Sequence, residues 1–172
     1  MESTFLKGCN MKKILLISAV MLTALTANAQ VRAVGIGLGA SETVSMQHCI
    51  YGQDNSFFQL DLGYHVGVPS SGMLCLTGTY NILFWSPEWT SVGKWNMYAG
   101  PGIRIGSDFS PLKSFSVGLA GQVGIEYLFD FPLQLSVDLR PSFGIRISES
   151  NFKYDIDGLM GFIPAVTARY RF

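Results

Sequence analysis

The chain has 172 residues, 12 Lys+Arg against 12 Asp+Glu, 48% hydrophobic residues and only 14% charged ones. That length suits about one domain, and a net charge near zero gives no electrostatic footprint for nucleic acid. Beyond the N-terminal segment no apolar stretch approaches the roughly 20 residues of a membrane-spanning helix, so a chain this apolar must bury its residues in a core or offer them to lipid from strands.

Lys12 and Lys13 precede an apolar run from Ile14 to Leu25, followed by Thr26-Ala27-Asn28-Ala29-Gln30. A basic flank, a short apolar core and an Ala-x-Ala site, Ala27 and Ala29, read as a secretory signal peptide spanning 1–29, cut after Ala29. Met11 reads as the true start, with residues 1–10 an over-called extension. Cys9 lies before the apolar core and is not a lipid-attachment cysteine. The remaining segment, 30–172, is one domain.

Period-two alternation predicts eight strands along it. They are expected at 31–39, 42–50, 56–66, 73–85, 94–106, 115–129, 132–147 and 159–172. The break at Ala40-Ser41 separates the first two; without it there would be seven. In the first strand Val34, Ile36 and Leu38 oppose Gly35, Gly37 and Gly39. In the third, Phe58, Leu60, Leu62 and Tyr64 oppose Gln59, Asp61 and Gly63. In the last, Val166, Ala168, Tyr170 and Phe172 oppose Ala165, Thr167, Arg169 and Arg171. Asp130-Phe131 is a very tight turn, and 107–114 and 148–158 are longer connections at the opposite end. Strand plus connection averages about 18 residues, which fits an eight-stranded membrane barrel whose strands need about 9–11 each.

The charges share one face. Asp61, Arg104, Glu126, Asp138, Arg140, Arg146, Arg169 and Arg171 all fall with the glycines and serines, and the opposite face is almost uncharged. A soluble barrel would be apolar inside; an outer-membrane barrel is the reverse. The lysines Lys94, Lys113 and Lys153 are expected at strand ends and in loops. Arginine holds carboxylates bidentately and keeps its charge when buried. Arg104, Arg140, Arg146 and Arg169 are therefore expected to pair with Glu126, Asp138 and Asp61 in a plug-like network, the functional alternative being a narrow ion path. The aromatics Phe57, Phe58, Trp85, Trp89, Trp95, Phe115, Tyr127, Phe129, Phe131, Tyr170 and Phe172 cluster near strand ends, as in interfacial girdles.

Other motifs carry less. The glycine repeats at 35–39 and 100–106 do not lead from strand into helix and do not make a phosphate loop. His65 with Ser70 or Ser71 lacks an acidic partner for nucleophilic catalysis. His48 falls on the apolar face. No cluster has metal-ligand spacing, and no cofactor is expected. Cys49 and Cys75 lie near opposite ends of non-adjacent strands, which argues against a bridge in a compartment that would allow one.

Several segments together carry a resemblance. They are the leader from Lys12 to Gln30, Met97 to Gly102, Val117 to Tyr127, Pro132 to Pro141, and Ala168 to Phe172. The chain resembles small outer-membrane β-barrel proteins of Bacteroides-type bacteria, similar in architecture to the OmpX family and the barrel half of OmpA, a porin-type group. It departs from full OmpA-type proteins in showing no periplasmic peptidoglycan-binding segment. The resemblance implies an all-β, eight-stranded, antiparallel up-and-down transmembrane barrel in the bacterial outer membrane. It implies lipid, periplasmic chaperones and the barrel assembly machinery as partners, with Tyr170 and Phe172 as the assembly signal. A non-enzymatic structural or interaction role, acting as a monomer, is the expectation. A narrow channel is the alternative, and a lipid-modifying enzyme the third reading.

Overall fold

The computed structural model describes residues 31–39, 42–49, 55–66, 72–108, 114–148, 151–156 and 163–172. The signal-cleavage residues Ala27 and Ala29 lie outside them, as do Ser70, Ser71 and Lys113. The described chain is all β. Its strands are β1 (Val31–Leu38), β2 (Glu42–Cys49), β3 (Ser56–Val66), β4 (Gly72–Trp85), β5 (Lys94–Asp108), β6 (Ser114–Leu128), β7 (Leu133–Leu139), β8 (Ser142–Ser148), β9 (Asn151–Ile156) and β10 (Ala165–Arg171).

These ten segments form eight staves of one closed antiparallel up-and-down barrel. Each strand from β1 to β6 pairs with the next, and β6 pairs with both β7 and β8. The barrel closes where β1 meets β10, with Val34 opposite Tyr170 and Ile36 opposite Ala168. Closure leaves β1 and β10 no free edge along this seam, which is how a barrel solves the edge-strand problem. β1 and β2 form separate strands of one hairpin, as the break at Ala40-Ser41 predicts.

Two of the expected strands are built differently. The predicted strand 132–147 is interrupted at Arg140-Pro141, because proline has no N–H to give the ladder. The register does not slip across the interruption: Val123 faces Leu139 below it and Ala120 faces Ser142 above it, while Gly121 N donates to Pro141 O at 2.8 Å. The segment 148–158, expected as a loop, instead contains β9, which pairs with β8 and places Lys153 opposite Arg146 in the ladder. Lys153 therefore sits within a strand, not in a loop. β9 and β10 together make the eighth stave, against β8 and β7 respectively. The connection expected at 107–114 is also shorter, since β5 runs to Asp108 and β6 starts at Ser114.

One end of the barrel carries Val31, Phe172 and the turns that follow β4 and β6. Leu133 N donates to Phe131 O at 2.6 Å and Phe129 N to Leu133 O at 3.1 Å, confirming the tight turn at Asp130-Phe131. The β4–β5 connection ends on Gly93, whose φ of 74° is the left-handed region that glycine enters freely. Gly93 N donates to Asp130 Oδ1 at 3.1 Å, and Tyr127 Oη donates to Val92 O at 2.8 Å, so this connection is tied to the neighbouring turn.

Candidate functional site

Alternation decides which side chains enter the barrel. Among the described residues, seventeen polar or charged side chains are buried against six apolar ones. The outward face is the inverse: Ile36, Ile103 and Leu119 are 64–68% exposed, and Val44, Val117, Val137, Phe143 and Val166 also stand open. A water-soluble barrel buries its apolar residues, so this distribution is inside out.

The interior is a connected polar network. Arg32 Nη2 meets Glu126 Oε1 at 2.5 Å, and Asn96 Nδ2 donates to the same oxygen at 2.9 Å. Gln134 Nε2 donates to Glu126 Oε2 at 2.6 Å and to Gln47 Oε1 at 3.0 Å. Gln47 donates to Gln59 at 3.1 Å, and Gln59 to Asp61 Oδ2 at 2.7 Å. Arg140 Nη1 lies 3.3 Å from Asp61 Oδ2, and Arg140 Nε donates to Asp138 Oδ1. Tyr98 Oη donates to Asp138 Oδ2 at 3.0 Å. The chain of contacts thus crosses the interior between β1, β6, β7, β2, β3 and β5. A second set joins Thr79, Asn81 and Gln122 at 2.7–3.0 Å. Such pairing satisfies most of the buried polar groups and fills the narrow bore of an eight-stranded barrel.

The expected charge face holds for Asp61, Arg104, Glu126, Asp138, Arg140, Arg146 and Arg169. Arg140 holds carboxylates as expected, bridging Asp61 and Asp138. Arg169, 1% exposed, donates to Ser45 Oγ at 3.0 Å and Ser136 Oγ at 2.7 Å, reaching over Gly35 to the serine that faces it on β2 and diagonally to the one on β7. Arg104 donates to Ser142 Oγ at 2.9 Å and Cys75 Sγ at 3.2 Å, and Arg146 to Met73 Sδ at 3.8 Å. Arg171 sits too near the barrel end to join the network; Nη2 donates to Phe129 O at 2.6 Å and Phe131 O at 3.3 Å, clasping the tight turn.

Glu126 takes Arg32, a residue the alternation assigns to the outward face with Val34 and Ile36. A register shift between Val31 and Ala33 explains it. A bulge adds a residue to one strand and resets which side chains point in, so Arg32 and Ala33 both turn inward. Tyr98 was legible, since it shares parity with Asn96 and Gly100. Phe57 was expected in an aromatic girdle; it is wholly buried inside, edge-on to Tyr98 at 5.2 Å, with the Arg32 guanidinium 5.2 Å from its ring centre.

Six of the expected aromatics form a band, whereas Phe115 lies at the start of β6, opposite Ser107, at the other end of the barrel. Trp85, Trp89, Trp95, Tyr127, Phe129 and Phe131 make successive ring contacts with centroids 4.6–5.6 Å apart, and Tyr170 contacts Phe172 at 5.3 Å. All lie at the end of the barrel that carries Phe172.

His48 is half-buried on the outward face, and the His65 side chain lies outside the described residues. Among the described residues, no three His, Cys, Asp or Glu side chains group as metal ligands, and Cys75 is a buried free thiol. No helix of the described residues is long and apolar enough to cross a membrane, which leaves strands as the relevant element. Compared with protein-family models, with curated proteins and with solved structures, the chain matches none.

Proposed function

We propose that this chain is an integral outer-membrane β-barrel, exported through a cleaved leader at 1–29, with a structural or interaction role and no catalysis. The observation that carries the reading is the inverted wall: exposed Ile, Leu, Val and Phe outside, ion-paired and amide-bonded side chains inside. The aromatic band from Trp85 to Phe131 supports it, because Trp and Tyr favour the level of lipid headgroups. On this reading the band marks the periplasmic interface, lipid covers the outward face, and the longer connections at the other end meet the surroundings. The cross-bonded interior favours a closed barrel over an ion path.

The test is expression of the full chain in a Gram-negative host, followed by fractionation. Recovery in the outer membrane, resistant to alkaline carbonate, is expected; recovery in the soluble periplasm overturns the reading. Conductance of the refolded barrel in a planar bilayer then separates the two interiors. Silence with insertion verified is expected, and reproducible discrete steps would replace the closed barrel by a pore.

A further inference from the structure

The barrel wall is not equally tall all round. β1 and β2 have 8 residues each, β5 and β6 have 15 each, and all four reach the end that carries Phe172. The short connection 39–41 joins β1 to β2, so the wall stops there while the β5–β6 side continues. Alternation gives β5 six outward positions free of Asp, Glu, Lys and Arg: Trp95, Met97, Ala99, Pro101, Ile103 and Ile105. On β1 the matching positions are Val34, Ile36 and Leu38, and on β2 they are His48, Met46 and Val44. The next outward residue on β2 is Glu42, which is exposed. At ~2.5 Å of height per residue in a strand tilted by about 40°, this belt is about 25 Å tall on β5 and about 10 Å on β2.

We propose that β1 and β2 thin the bilayer beside them, drawing the outer headgroups down to Glu42. The inference rests on the membrane reading above. A hydrophobic stretch shorter than the hydrocarbon is met by thinning, by snorkelling or by association. Snorkelling covers only the length of one side chain, far less than the missing ~15 Å. A carboxylate in hydrocarbon is strongly disfavoured, so the lipid boundary on this side stands no higher than Glu42. Tilting the barrel moves both ends of a sector together and cannot lengthen its belt. Symmetric association of two copies through this sector would bring both Glu42 carboxylates to one contact. The surface therefore fits lipid, compressed along the hairpin that adjoins the closing seam with β10.

The experiment reads depth from a nitroxide on one cysteine at a time, in the full chain with Cys9, Cys49 and Cys75 replaced by serine. The labelled variants are Leu38→Cys, Ile103→Cys, His48→Cys and Met97→Cys, refolded into dioleoylphosphatidylcholine vesicles. A circular dichroism spectrum matching the parent identifies each as folded. Leu38 and Ile103 stand nearly the same number of residues from the Phe172 end, counted from Val31 and Trp95; His48 and Met97 are the matching pair near that end. The ratio of access by an aqueous nickel chelate to access by oxygen is expected to be at least fivefold higher at Leu38 than at Ile103. Equal ratios there overturn the thinning. So does His48 reading deeper than Met97, which marks a tilted barrel, and so does exclusion of both reagents from Leu38, which marks a second copy. A fully aqueous signal at Ile103 overturns the membrane reading itself. A second measurement needs no label: Glu42→Leu lengthens the short belt and should raise the refolding yield at least twofold more in 18-carbon than in 12-carbon lipid. An equal effect in both lipids overturns the thinning.

Discussion

Arg140 reaches across the interior from the β7–β8 junction to Asp61 on β3, its Nη1 3.3 Å from the carboxylate, while its Nε holds Asp138 two residues back. One guanidinium thereby joins opposite walls of the barrel. It sits where Pro141 interrupts the ladder, so a side-chain tie spans the stave at the point where a backbone bond is missing.

Replacing Arg140 by Met leaves Asp61 and Asp138 buried beside each other without their cation. Removing one partner of a buried pair costs about 3–5 kcal/mol. Urea unfolding of Arg140→Met in detergent is expected to show that loss, with Arg140→Lys intermediate because Lys cannot reproduce the bidentate fork. An unchanged midpoint would mean the bridge contributes nothing.

Glu126 accepts from Arg32, Asn96 and Gln134. Glu126→Ala strands three buried donors and should destabilise by about 3–5 kcal/mol, with Glu126→Gln less severe since it keeps one acceptor oxygen. Arg32→Ala in the Glu126→Ala background should then cost little more. Additive losses in this cycle would show that the two residues are not coupled.

Leu119, 68% exposed, lies on the outward wall between Ile103 and Phe143. In a bilayer, Leu119→Arg should cost about 2–4 kcal/mol, the range for a cation at mid-depth on a barrel's lipid face. In a water-soluble barrel the same change would be close to neutral. Folding yield into lipid vesicles against urea distinguishes the two.

Gly35 marks the closing seam. A β-carbon there would overlap the Ala168 carbonyl oxygen, because β1 and β10 approach closely at that point. Gly35→Ala forces backbone movement and should cost about 1–3 kcal/mol, the usual range for overpacking. Gly121→Ala, whose added methyl would meet only ordinary contacts at Pro141, should be nearly neutral at the level of packing and serves as the control. Equal loss in both variants would contradict the close approach at the seam.

Much of the candidate site was readable from alternation. The interior positions of Asp61, Glu126, Asp138 and Arg169 follow from parity alone, since each lies in a strand free of irregularities. Arg32 was not readable, because a bulge changes parity without leaving a mark in composition. Arg171 has the right parity but the wrong height. Partner choice depends on how strands are staggered around the barrel, which placed Ser45 and Ser136, instead of a carboxylate, next to Arg169. β9 was missed because its residues lie in a stretch that reads as a polar loop, and its pairing with β8 is a tertiary contact.

The sequence by itself determined which residues face in and which face out, since a period of two is a local property of extended backbone. It thereby determined the all-β class, the number of staves and the inverted polarity. Only the tertiary structure decided who pairs with whom. Stagger, a bulge at Arg32 and an interruption at Pro141 set the heights at which side chains from opposite walls meet, and hydrogen bonds act over a few ångströms, so those heights select the partners.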